Sequence, residues 1–245
     1  MSKLRKTAMI LAAGLGSRLN EMTLFKPKAL IEINGEPLLK LVINKLKHNG
    51  FNHLVINVHH HADQIISYLK ENSNFETEIE ISDESHLLLD TGGAILKALP
   101  LFHDSETILV HNVDIVSDTD LAGQYASFSN SQMDAVLLCK KRESSRKLLV
   151  NNENLLVGWK NEIANEIKWA NDFTENYNSI AFSGIHLLRP HILKNFEVRK
   201  CSIIDIYLQL AQTKKISCII DDKGNWFDLG KKEDFERISR LLKQK

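Results

Sequence analysis

The chain predicts an α/β fold with a mixed, mostly parallel central sheet, and three observations carry that prediction. Short apolar runs alternate in the first half with stretches of helical periodicity, an order that pairs strands in parallel through right-handed crossovers. Apolar residues make up 43% of the 245 residues, enough for a core of domain size. The first apolar run, Met9-Ile10-Leu11-Ala12-Ala13, ends in the glycine-rich bend Gly14-Leu15-Gly16. In parallel sheets, ligands sit at such carboxyl ends of strands.

The elements follow in order. Residues 7–13 predict a buried first strand. Pro37 to Asn49 predicts a helix with Leu38, Leu41, Val42 and Leu46 on one stripe, stopped by Gly50. His53 to Val58 is a second apolar strand, Ala62 to Glu71 a helix with Ile65, Ile66 and Leu69 inward, and Thr77 to Ile81 an alternating strand. Thr91 to Leu99 predicts a short helix ended by Pro100, and Thr107 to Val110 a buried strand leading into His111-Asn112-Val113-Asp114. The bend, the His59 region, the Asp90–Gly93 segment and Asp114 should therefore meet at one edge of the sheet. In the second half, Ala135 to Cys139 predicts a strand. Leu148 to Asn151 and Leu155 to Trp159 flank Asn152-Glu153-Asn154 as a hairpin. The Asn-rich stretch 151–178 should form loops over one end of the sheet. Ser179 to Leu187 and Ile216 to Ile220 predict strands, and Ile203 to Gln212 and Glu233 to Leu242 helices. No repeat or linker divides the chain, so a single domain is expected.

Charge narrows the partners. Lys and Arg total 31 against 31 for Asp and Glu, so no global field favours nucleic acid or an anionic membrane. An anion site must be local, as in a pocket for small-molecule substrates. Cys139, Cys201 and Cys218 are odd in number and lack CxxC spacing, which predicts free thiols in a reducing compartment. No apolar stretch reaches the length of a membrane span. Glycines and then Arg18 cut short the apolar run after the basic start, so no signal peptide is expected and the chain reads as cytoplasmic.

The bend carries the chemistry. Its backbone N–H groups, unshielded by β-carbons, can approach phosphate oxygens, and Arg18 and the Pro27-fixed Lys28 can neutralise them. It is not a Walker loop, which needs G-x-x-x-x-G-K-[ST]. It is not a dinucleotide fingerprint either, because Leu19 stands where the third Gly belongs. A bare G-x-G reads equally well as a tight turn; Arg18 and Lys28 make it specific. His59-His60-His61 with Asp63 suggests metal, but neighbouring side chains of an extended segment point to opposite faces. One histidine facing the site edge is the expectation. Lys140-Lys141-Arg142 with Arg146-Lys147 reads as a solvated strand end, with sugar or phosphate contact as the second reading.

The segment L-A-A-G-x-G-x-R-L followed by P-K-A-L resembles the signature of the sugar-1-phosphate nucleotidyltransferases, and further matches follow in order along nearly the whole chain. Asp90-Thr91-Gly92-Gly93-Ala94 resembles the segment near the base and ribose, Phe182-Ser183-Gly184-Ile185 the F-x-G-I strand that closes the sugar site, and Trp226-Phe227-Asp228-Leu229-Gly230 the late W-x-D-x-G motif. The resemblance implies a Rossmann-like (GT-A-like) three-layer α/β/α fold. It implies a nucleotide-binding half of about residues 1–130 and a sugar-binding half of about 131–245. It also implies nucleotide contacts from Leu11, Ala12, Ala13, Gly14, Gly16, Ser17, Arg18, Lys28, Thr91, Gly92 and Gly93. Glu84 lies on the loop that faces the base, where it would accept from a pyrimidine N–H or stand in solvent. Arg18 would hold the departing pyrophosphate and Lys28 would act near the α-phosphate. Asn112 and Gly184 would contact the sugar phosphate, and Asp114 and Asp228 would hold Mg²⁺.

The implied reaction joins an NTP and a sugar-1-phosphate into an NDP-sugar. A sugar phosphate is already largely dianionic at pH 7, since its second pKa is about 6, so no general base is required. Catalysis would rest on positioning and charge neutralisation. The pattern departs from the family at Val113, where Gly usually precedes the metal aspartate, and at Lys231, where Thr commonly follows Gly230. Leu156-Val157-Gly158-Trp159-Lys160-Asn161 stands in place of a Glu-Lys-Pro segment. The chain ends just past the catalytic domain, so no β-helix domain is expected. These features are most similar to the N-acetylmuramate-1-phosphate uridylyltransferases of cell-wall recycling. The mannose-1-phosphate guanylyltransferases, or another NTP:sugar-phosphate transferase, come second. A catalytically inactive nucleotide-binding subunit is the alternative of a different class. A monomer or small homo-oligomer is expected.

Overall fold

The structure, a computed structural model, describes residues 5–16, 23–171 and 175–230, with 234, 237 and 238. In chain order the elements are β1 (Thr7–Leu11), β2 (Glu32–Ile33), β3 (Glu36–Pro37), α1 (Leu38–His48), β4 (His53–Val58), α2 (Ala62–Glu71), β5 (Glu78–Asp83), α3 (Asp90–Ala98), β6 (Ile108–Asn112) and β7 (Ile115–Ser117). The second half adds α4 (Leu121–Ser129), β8 (Ala135–Lys140), β9 (Arg146–Val150), β10 (Leu156–Asn161), β11 (Glu166–Trp169), β12 (Asn178–Leu188), α5 (Ile203–Leu210), β13 (Ile216–Ile220) and β14 (Trp226–Asp228). The predicted helix from 233 to 242 lies largely outside the described residues.

The main sheet runs β11-β10-β9-β12-β6-β1-β4-β5, with β8 on β12 and β13 on β8. β5, β4, β1 and β6 are parallel neighbours. Tracing the pairings, only β12 and β10 oppose the other strands, so the sheet is mixed and mostly parallel. Alternation along β1 builds the layers. Ala8 and Ile10 face a core filled by α1, α2 and α4, whereas Met9 faces one filled by α3 and α5. This is the three-layer α/β/α arrangement that the resemblance implied, built on the mostly parallel sheet that the order of elements predicted.

β12 joins the two halves. Its first residues pair with β9 and its last with β6, and its register against β8 shifts between Phe182 and His186. Gly184 sits in that break with φ +82, where a β-carbon would lie 2.9 Å from Asn112 Nδ2 and 3.0 Å from Ile115 Cγ1. Both the backbone and the space require glycine there.

Several elements went unpredicted. α4 has a weak apolar stripe. It forms because Asp120 caps it, accepting from Gly123 N at 2.9 Å, and because Leu121 and Phe128 are buried. β7 and β14 are three residues each and pair only with one another across more than a hundred residues. The Asn-rich stretch expected as loops carries β11, antiparallel to β10, which is the second strand of the predicted hairpin with β9. The three cysteines are free. No helix among the described residues is long and apolar enough to cross a membrane.

Candidate active site

The carboxyl ends of β1 and β6 converge with the loop after β4, as the alternation of elements requires. Past Leu11 the backbone turns through Ala12, whose N–H donates to Asn57 Oδ1 at 2.7 Å. Asn57 Nδ2 in turn donates to Glu84 Oε1 at 2.8 Å, and Leu89 N donates to Glu84 Oε2 at 3.0 Å. Glu84 is 1% exposed. This corrects the solvent-exposed alternative: both of its oxygens are engaged inside the protein. It tethers the β1 loop, through Asn57, to the segment leading into α3.

The two glycines of the bend differ. Gly16 has φ +65, and a β-carbon on it would come within 2.6 Å of Thr23 Cγ2 and 3.2 Å of Lys28 Cβ, so the fold itself requires glycine. Gly14 has nothing within 4 Å of its β-carbon position, and open space remains beside its backbone. Ser17 and Arg18 lie outside the described residues.

Gly92 and Gly93 serve the fold: their N–H groups donate to Cys201 O at 2.9 and 3.2 Å. A β-carbon on Gly93 would lie 2.1 Å from Arg199 O, and one on Gly92 2.8 Å from Ser202 C. These glycines let the segment before α5 lie directly on α3. Thr91 Oγ1 accepts from Ile203 N at 3.0 Å and so helps cap α5, while the residue also borders the site. Gly184 sits beneath Asn112 in the β12 break and borders neither of the cavities described next.

Lys28 and Asp114 form an ion pair at the mouth of β6, and Lys28 is buried. Asp114 O accepts from Leu229 N at 2.8 Å, and Asp228 pairs in register with Ile115. The β7–β14 ribbon thus brings the two predicted aspartates side by side along the backbone. Asp228 Oδ1 accepts from Gly230 N at 2.9 Å. Val113, which departs from the family pattern, is packed into the core, and its N–H donates to Leu11 O at 3.1 Å.

Two cavities meet here. The smaller, about 270 Å³, is bordered by Ala13, Gly14, Lys28, Asn57, Asp114 and Lys200 among others. The larger, about 720 Å³, is bordered by Arg142, Arg146, Lys147, Trp159, Lys168, Asp205 and Asp228 among others. They share Leu11, Asp90, Thr91 and Asn112 as a common wall.

The basic run expected in solvent is here divided. Lys140 is buried 3.4 Å from Asp221, while Arg142 stacks over Trp226, 4.3 Å from the ring centroid, and donates to Phe182 O at 3.0 Å. Burial lowers the Arg142 pKa from its ordinary value, and the charge of Asp228 opposes that. Lys168 lies over the Trp159 ring and 2.8 Å from Asp205, a hydrogen bond that raises its pKa. The sequence predicts β10 as the second strand of the hairpin of residues 148–159 but leaves β11 as a loop, so the position of Lys168 beside Trp159 is not legible in it. The three consecutive histidines divide: His59 bonds Glu84 O at 2.6 Å, while His61 lies near Leu24 O with its ring 3.9 Å from that of His60.

Two buried histidines flank the site. Burial pushes His111 from 6.5 down to about 4 and His186 down to about 3, and Tyr207 Oη lies 2.9 Å from His186 Nδ1. In the unfolded chain both protonate near pH 6.5 (about the reference value). Below that pH the unfolded chain binds more protons, so this contribution is complete above pH 6.5 and lost as the pH falls toward about 4 for His111 and toward about 3 for His186. The loss is about 1.4 kcal/mol per pH unit for each ring. The urea midpoint at pH 5 is expected well below that at pH 7, and His186→Gln should narrow the gap. A gap unchanged by the substitution would rule out the buried ring as its source.

One group among the described residues has a donor set that could hold a metal ion: His53, Glu80 and His103. It lies at the amino ends of the strands, where His53 pairs with Thr7, and Asp114 and Asp228 lie at the other end of the sheet.

The chain matches the nucleotidyl transferase family over residues 7–245. It is 28% identical over 241 residues to the N-acetylmuramate alpha-1-phosphate uridylyltransferase of Caulobacter vibrioides, covering 94% of each chain. It is 27% identical over 232 residues to the mannose-1-phosphate guanylyltransferase catalytic subunit beta of Drosophila melanogaster, covering 93% of this chain and 60% of that one. Its fold is also that of the inositol-1-phosphate CTP transferase of T. maritima, with a TM-score of 0.76 and 18% identity over 98% of this chain and 96% of the other. The chain belongs to the nucleotidyl transferase family and is an enzyme of the sugar-1-phosphate nucleotidyltransferase superfamily.

Proposed function

We propose that the enzyme joins UTP to N-acetylmuramate 1-phosphate, releasing pyrophosphate. The observation that carries this reading is the pair of cavities sharing one wall, with Lys28 and Asp114 in the smaller and a basic wall in the larger. The triphosphate would lie along the open backbone of Gly14 beside Lys28, with Arg18 completing the phosphate contacts. The sugar phosphate would enter the larger cavity, within the half formed by residues 131–245. One of its phosphate oxygens attacks the α-phosphorus, a new P–O bond forms, and the bond from the α-phosphorus to the bridging oxygen breaks. Pyrophosphate leaves with that electron pair. No proton need be removed, so the residues serve to align the reactants and neutralise charge.

The two aspartates fit a hard dication. Both offer carboxylate oxygens, and the Lys28 ammonium on Asp114 already marks a position that favours positive charge. Asp114 and Asp228 would hold Mg²⁺, which when bound neutralises charge on the phosphates.

Two observations support the finer substrate. N-acetylmuramate carries a carboxylate that mannose lacks, and Arg142, Arg146, Lys147 and Lys168 line the sugar cavity. The Caulobacter uridylyltransferase is also matched over almost its whole length. Pyrophosphate release should be measured for UTP, GTP, CTP and dTTP against N-acetylmuramate 1-phosphate, N-acetylglucosamine 1-phosphate and mannose 1-phosphate. UTP with N-acetylmuramate 1-phosphate is expected to have the highest kcat/KM. A maximum with GTP and mannose 1-phosphate would replace this reading with the guanylyl one, and silence throughout would leave a binding subunit.

A further inference from the structure

We propose that His53, Glu80 and His103 form a binding site for a transition-metal dication of the zinc class, at the end of the sheet opposite the substrate cavities. Their ligand atoms all lie within 4.8 Å of one another. Glu80 Oε1 is 2.9 Å from His53 Nε2 and 2.6 Å from His103 Nε2, so three donors already converge on one point. Two imidazole nitrogens and a carboxylate suit zinc and its neighbours, whereas magnesium and calcium favour all-oxygen sets.

The surroundings are built to orient these ligands. His53 is fully buried at the start of β4, and its Nδ1 lies 3.0 Å from Thr7 Oγ1. Thr7 Oγ1 lies 2.6 Å from Ser105 Oγ. With a metal on Nε2 the ring proton sits on Nδ1 and donates a hydrogen bond to Thr7 Oγ1, whose own hydroxyl can donate to Ser105 Oγ. Such a partner on the far nitrogen is the usual support of a metal-bound histidine. At His53, binding through Nε2 therefore needs only a tautomer shift of that ring. His103 follows the buried Phe102 and holds φ +49, a conformation that costs energy in a non-glycine residue and keeps its ring 5.5 Å from that of His53. His103 is 42% exposed and Glu80 30%, leaving the fourth coordination position to water. The site would tie β4 and β5 to the segment that enters β6. Its role is to stabilise the amino ends of the parallel strands, separately from turnover.

Zinc and magnesium binding should be measured by titration calorimetry on the full chain in the Asp114→Asn background, which weakens the substrate-site carboxylates as competitors. One zinc per chain is expected, with no comparable magnesium binding, and the urea midpoint should rise when zinc is added. His103→Asn should weaken zinc binding at least tenfold and abolish that rise. The variant's own midpoint without metal is the reference, so a loss of stability from the substitution itself is separated from loss of the zinc-dependent rise. Cobalt should give a visible tetrahedral spectrum that the variant lacks. Equal zinc binding by the variant, or no zinc-dependent rise in the first protein, would overturn the proposal.

Discussion

Asp114→Asn is expected to lower kcat on the order of 10³-fold, a loss typical of removing one preorganised charge partner from a transition state. The side chain keeps its shape, and its amide oxygen can still accept from Lys28, so the fold should survive. The unfolding midpoint and the near-UV circular dichroism check this. The reason for the large effect is local. Asp114 is held by the β7–β14 ribbon next to Asp228 and beside the buried Lys28. Losing its charge leaves the ammonium without its counter-charge and removes one of the two carboxylates proposed to hold magnesium. Full turnover in a correctly folded variant would sink the assignment of Asp114.

Glu84→Ala is expected to cost about 4 kcal/mol of stability, since each buried donor left without its acceptor costs about 1–3 kcal/mol. Two donors lose their partner here, Asn57 Nδ2 and Leu89 N. The effect should also reach the site, because Asn57 holds the Ala12 N–H at the start of the phosphate bend. Urea unfolding reads the first effect, and an increase in KM for the nucleotide at low temperature reads the second. Glu84→Gln should recover only part of the stability, because its NH₂ would face a donor. If Glu84→Ala lost less than about 0.5 kcal/mol, the usual range for a surface substitution, the tether would not matter.

Much of the architecture was legible in the sequence. Parallel strands buried on both faces must be continuous apolar runs, and helices packed on one side must be striped, so β1, β4, α1, α2 and β8 could be read within a residue or two. The pair Asp114 and Asp228 could be named from motifs, but that they sit side by side could not. They are brought together by two three-residue strands too short to leave a periodic signal. Glu84, Gly92 and Gly93 fall within stretches that resemble ligand-facing segments. Their polar groups are nevertheless taken up by partners far along the chain, Asn57 and Cys201, which no local pattern reveals.

The sequence alone determined the alternation of strands and helices, the family and the bend at Gly14 and Gly16, because these depend on short-range periodicity and on residues with unusual backbone freedom. Only the tertiary structure decided which polar groups face the cavities and which are used up inside the fold. It also turned a basic run that reads as solvated into a wall of the larger cavity, and it brought His53, Glu80 and His103 together from three elements. The physical reason is common to all three: a side chain's surroundings are set by strand register and close backbone approach, and those are contacts between residues far apart in the chain.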